Sequence, residues 1–201
     1  MSENINILLD VLPEAITVDD EEYPISSNFR TFMLLELLLR DKSLSDERKL
    51  EEMVYLIFGE NYPKNITADV IDKIIDFYRC GKKETKRQKA VKKTVKNKKR
   101  VYDFEWDDAY IYSAFYSTYR IDLNEIDYLH WWKFKALFDA LPSDCEFVKI
   151  MGYRATDISS IKDKSERARI AKLQALYALP EQLTTEEKAA QIGALFGGGI
   201  R

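Results

Sequence analysis

YLHWWKFKALFDALP, residues Tyr128 to Pro142, holds two of the chain's three tryptophans and its only histidine. On a helical wheel of about 100° per residue, Trp131, Phe134, Leu137, Phe138 and Leu141 share one broad face, with His130 at its margin. Trp132 falls roughly opposite, beside Tyr128, Lys135 and Asp139. One tryptophan therefore faces a core. The other faces either a second packed layer or a partner. Aromatic residues ringed by polar ones are common interface anchors, which makes Tyr128, Trp132, Lys135 and Asp139 the candidate partner-binding residues. Either reading is structural rather than chemical, and His130 reads as a core or boundary histidine.

Working outward, Asn124 is the expected cap of this helix and Pro142 its end. Behind it, "SDCEFVKIMGYR" predicts a helix capped by Ser143 and halted near Gly152, and "KSERARIAKLQALYALP" predicts another, amphipathic through Ile170, Leu173, Leu176 and Tyr177. "TTEEKAAQIGALFGGGIR" adds a last short helix and a glycine tail. Ahead of it, "VYDFEWDDAYIYSAFYSTYRIDL" predicts a helix capped by Asp103 or Asp107, with aromatics recurring through Trp106, Tyr110, Phe115 and Tyr119.

The N-terminal part repeats the helical plan. "AITVDDEEYPI" (Ala15–Ile25) reads as a hairpin: β-branched residues, an acidic turn, and a returning edge with a proline. Ser26 and Ser27 offer caps to a helix over Asn28–Arg40. Ser45 starts a helix whose stripe is Leu50, Met53, Val54, Ile57 and Phe58, stopped by Gly59. Thr67 starts one whose stripe is Val70, Ile71, Ile74, Ile75 and Tyr78, stopped by Gly81.

Between the two parts the composition changes. Lys82–Arg100 carries eleven basic residues and one acid, so the remaining 20 basic and 33 acidic residues leave the rest of the chain at −13 behind a formal net charge of −3. With only Val91 and Val95 as sizeable apolar residues, this block reads as a solvated loop or frayed helix. The resulting organisation is an N-terminal hairpin with helices (1–81), a basic connector (82–100) and an aromatic-rich helical part (101–201). The two outer parts are either separate or joined in one compact domain. The fold class is mainly α, a helical bundle with a short N-terminal β-hairpin. Seven glycines and five prolines in 201 residues are too few for a fold of many tight β-turns.

The residues exclude most chemistry. One histidine and two distant cysteines, Cys80 and Cys145, supply neither a nucleophile–base pair nor a zinc site. No dinucleotide or phosphate loop and no calcium-loop pattern occurs, so no catalytic, metal or cofactor residues are assigned and no enzyme activity is expected. The connector has basic residues for phosphates but no aromatic for stacking bases, and acidic parts flank it. Nucleic-acid binding is therefore the weaker rival reading. The start "MSENINILLDVLPEA" has no basic stretch ahead of its apolar one, and "FMLLELLL" (Phe32–Leu39) is shorter than the ~18 residues of a membrane span and broken by Glu36. A soluble, intracellular protein is expected.

Four stretches, in order, carry a resemblance: "LPEAITVDDEEYPISSNFRTFMLLE", "YDFEWDDAYIYSAFYSTYRIDL", "YLHWWKFKALFDALP" and "FVKIMGYRATDI". Together they resemble the phage gene product fifteen family of long-tailed phages and prophages of Gram-positive bacteria, over residues 11 to 180. The resemblance implies no enzyme activity and no cofactor. It implies a tail assembly chaperone that binds the tape measure protein transiently and helps the major tail tube protein polymerise around it. It also implies a site of action in the host cytoplasm and absence from the mature virion. Self-association is a further possibility that the resemblance leaves open. The rival within the same setting is a structural tail component retained in the particle.

Overall fold

A computed structural model describes residues 5–82 and 100–180. The connector from 83 to 99 and the expected last helix lie outside the described residues.

The hairpin forms from β1 (Ala15–Val18) and β2 (Glu21–Pro24), paired antiparallel with Val18 opposite Glu21. Asp19 and Asp20 make the turn alone, both at positive φ (49° and 64°). That is the two-residue geometry whose twist suits a hairpin and which aspartate tolerates. Glu21 and Glu22 belong to the returning strand.

Seven α-helices follow among the described residues: α1 (Phe29–Arg40), α2 (Asp46–Phe58), α3 (Ala68–Tyr78), α4 (Asp108–Tyr119), α5 (Trp131–Asp139), α6 (Glu146–Ala155) and α7 (Lys164–Leu176). The chain is mainly α with a short N-terminal hairpin, as its pattern predicts. Ser45 caps α2 as expected, accepting from the Arg48 N–H.

Several caps differ from expectation, for local reasons. Asn28, not Ser26 or Ser27, caps α1 by accepting from the Arg30 N–H. Ser27 is instead spent on an extended rung: its carbonyl accepts from Trp131 N–H, and the Leu129 carbonyl accepts from Phe29 N–H. This rung sets the starts of α1 and α5 side by side. Cys145, not Ser143, precedes α6, which continues past Gly152 to Ala155. Along the stripe of α7, Ile170 is buried, Leu173 and Tyr177 are half-buried, and Leu176 is 69% exposed, so the stripe is only partly covered.

The core draws on both sides of the connector. Phe29 and Phe32 of α1, Phe77 of α3, Phe115 of α4, Trp131, Phe134 and Phe138 of α5 and Phe147 of α6 belong to one apolar cluster. Phe134 is its hub: its ring stacks on Phe29 and Phe115 at 5.1 and 5.0 Å between centroids. Such stacked pairs add about 0.5–1.5 kcal/mol each beyond area burial.

A chain of buried ions runs beside this cluster. Glu36 Oε2 accepts from Arg40 at 2.6 Å, and its Oε1 accepts from the Tyr78 and Tyr102 hydroxyls at 2.6 and 3.1 Å. Burial, with the Glu36 charge beside them, pushes both phenols well above their ordinary range. Arg40 reaches Asp103, which Arg100 also pairs at 2.7 Å. Asp107 accepts from the Asp103 N–H and receives both terminal nitrogens of Arg154, at 2.6 and 2.9 Å. Asp107 precedes α4, but its carboxylate serves Arg154 rather than the helix. Arg100, read as the last residue of the connector, thus belongs to the folded part. No buried side-chain nitrogen or oxygen among the described residues lacks a hydrogen-bond partner, which is the condition for such ions to be tolerated inside.

Candidate partner-binding surface

The opening helix is built differently from its wheel. α5 starts at Trp131, so Tyr128 lies ahead of it and Asn124 does not cap it. His130 is the cap: its Nδ1 accepts from the Trp132 N–H at 3.1 Å. Its Nε2 must then carry the proton and donate to the Pro13 carbonyl at 3.0 Å. Burial lowers the histidine below its ordinary 6.5, which suits a neutral ring.

Trp132 occupies the second packed layer rather than a partner surface. It is 5% exposed, and its indole N–H donates to the Phe77 carbonyl at 2.8 Å. Trp131, fully buried, donates likewise to the Tyr78 carbonyl at 2.8 Å. Adjacent tryptophans thus bond two carbonyls at the C-terminus of α3, where intrahelical donors run out; the Phe77 carbonyl also accepts from the Cys80 N–H at 2.8 Å. Gly81 follows at φ 64°, and a Cβ there would meet the Trp132 ring at 3.1 Å. Its role is therefore close approach as well as a stop. Burial pushes the neighbouring Cys80 thiol up to about 11, so it stays protonated near neutral pH.

The other three candidates are each bonded within the protein. Tyr128, 46% exposed, donates to Glu14 Oε1 at 3.1 Å and meets Ser27 Oγ at 2.8 Å. Lys135 pairs with Asp139 one turn on and lies over the Phe138 ring. The burial of Trp132 removes the centre of the expected patch. The wheel placed Trp132 away from the centre of the phenylalanine face, but direction alone does not reveal that the end of α3 covers both tryptophans.

A groove lies elsewhere, floored by Phe29, Phe104 and Ile111, which are themselves largely buried. Phe29, Arg30 and Met33 of α1, with Phe104, with Asp108, Ala109, Ile111 and Tyr112 of α4, and with Leu123 and Asn124, line this groove of about 490 Å³. α1 packs chiefly on α2 and α5, and α4 on α6, so neither helix has its groove side filled by another. Arg30 donates to the Leu123 and Ile126 carbonyls, each at 2.8 Å. Tyr112 donates to Asp122 at 2.8 Å and stacks on Tyr116, with centroids 6.0 Å apart.

The outer face of α4 also leaves rings in solvent. Trp106 just ahead of it and Tyr116 are about half exposed, and Tyr110 and Tyr112 are more than a third exposed. Its buried stripe is Ile111, Ala114 and Phe115, so of the recurring aromatics Trp106, Tyr110, Phe115 and Tyr119 only Phe115 is fully buried. The available signal was the density of tyrosines: a helix with rings on every side must expose some of them.

Residues 8–179 match the model of a known family, described as Bacteriophage Gp15 protein. The chain belongs to that family. No curated protein and no solved structure matches it. Membership of the Gp15 family points to a structural or morphogenetic role in a phage. The matched span holds both walls of the groove, the tryptophan pair and the ion chain. The stretches that carry the resemblance have structural duties here: "NFR" supplies Asn28 and Arg30, "HWW" seals α3, and "MGYR" supplies Arg154. No described helix is long and apolar enough to cross a membrane.

Proposed function

We propose that this Gp15 protein is a tail assembly chaperone. It binds the tape measure protein transiently in the host cytoplasm, shields its apolar stripes, and leaves as the major tail tube protein polymerises around it. The work is binding, with no catalytic step. The observation that carries this reading is the α1/α4 groove with exposed aromatic rings beside it, in a chain whose other large rings are mostly committed to its own core. Exposed apolar and aromatic surface marks a place where another protein packs. Solvent-edged contacts of moderate strength also suit a partner that must depart.

Co-expression tests the reading. The tape measure protein should be soluble with this protein and aggregated without it, and mass spectrometry of purified virions should find the protein absent. Its retention in virions at fixed copy number would assign it instead to the finished tail.

A further inference from the structure

We infer that the α1/α4 groove takes an amphipathic helix whose apolar stripe is bordered by basic residues. The inference deepens the chaperone reading and rests on it only for the partner's identity.

Shape and charge carry it. The groove runs between two helices, and its apolar lining comes from Phe29, Met33, Phe104 and Ile111. A cleft of this kind accepts the side-chain ridge of a third helix. The rim is acidic. Asp108 lines the groove; Asp122 is tied to it through the Tyr112 hydroxyl; Glu125, exposed, directly follows the lining residue Asn124. The cation present, Arg30, stacks over Phe29 and spends its nitrogens on loop carbonyls. One carboxylate in the lining and two beside it therefore outnumber the lining's one guanidinium, which is already engaged within the protein. A helix with lysine or arginine beside its stripe is attracted by this rim, and one edged with glutamate is repelled.

The test uses the full chain and two synthetic helical peptides of about 16 residues, with the same leucine stripe and either lysine or glutamate edges. Fluorescence anisotropy should show the lysine-edged peptide binding at least about tenfold tighter, with the preference shrinking as salt rises from ~0.05 to ~0.5 M. Ala109→Trp, which fills the groove from an exposed position, should weaken that peptide by at least about tenfold. The double change Asp108→Lys with Glu125→Lys, both at exposed sites, should reverse the preference. Equal affinity for the two peptides, or binding unaffected by both variants, would overturn the inference. The tape measure protein separates this inference from the reading beneath it. If it binds wild type and Ala109→Trp alike, the groove fails and the chaperone reading stands. If it does not bind while the lysine-edged peptide does, the chaperone reading fails and the groove stands.

Discussion

α4 and α5 are both rich in aromatic residues, and the fold uses them in opposite ways. On α5, Trp131, Trp132, Phe134 and Phe138 are all buried. The helix is closed on one side by the phenylalanine core and on the other by the end of α3. On α4, burial stops at Ile111, Ala114 and Phe115, and Tyr110, Tyr112 and Tyr116 remain in contact with water. What separates the two is where their polar handles go. The indole N–H groups of α5 reach backbone carbonyls of another helix, which fixes the rings inside. The Tyr112 hydroxyl reaches an exposed carboxylate at the surface, which leaves its ring beside the groove. Aromatic density alone does not distinguish a core from an exposed face; the hydrogen-bond partner does.

The largest effects should come from α5. Trp131→Ala and Trp132→Ala should each cost about 3–5 kcal/mol, from lost packing plus the lost indole hydrogen bond. Urea midpoints of the two variants should therefore fall together. The Phe variants, which keep a ring and lose the N–H, should recover about half of that.

Next comes the buried pair that anchors the back of α4. Arg154→Met should cost about 3 kcal/mol, because Asp107 is left charged and unpaired at 1% exposure. Adding Asp107→Leu should restore much of the loss in the same urea experiment. Restoration would show that the pair fixes α4 in place and is not itself the source of its stability.

A smaller effect attaches to the cap of α5. His130 is held neutral, with a folded pKa below 6.5. Its contribution is therefore fully present above pH 6.5 and is lost as pH falls from there through the lowered folded value. Thermal melts between pH 7.5 and ~5 should decline more steeply for the wild type than for His130→Asn, which still offers a capping oxygen.

The smallest stability change belongs to α4's outer face. Tyr116→Ser should shift the urea midpoint by no more than about 0.5 kcal/mol. If the exposed ring is an anchor, the same change should weaken capture of the tape measure protein by about 2 kcal/mol.

Periodicity made the helices, the hairpin and the Trp131 core face legible, because each rests on local spacing. The partner side of Trp132 was not, because its cover is the end of α3, some fifty residues away. The ion chain escaped for the same reason: Arg154 and Asp107 lie 47 positions apart. The groove escaped because a cleft is defined by what two helices fail to fill, and no pattern on either helix records that. Cap choice failed at α1 and α5 because the serine hydroxyls are taken, Ser26 by Thr31 and Ser27 by Tyr128, and the rung between residues 27–29 and 129–131 sets His130 at the start of α5.

The three tryptophans carry their own comparison. Trp131 and Trp132 are sealed against α3, while Trp106, beside α4, is 58% exposed. Hydrogen exchange at the three indole N–H groups, followed by NMR, therefore reads both regions in one sample. The account predicts that Trp131 and Trp132 exchange slowly, at rates near those of core backbone amides, while Trp106 exchanges as fast as a free indole. Rapid exchange at Trp132, matching Trp106, would contradict it and return Trp132 to the protein's surface.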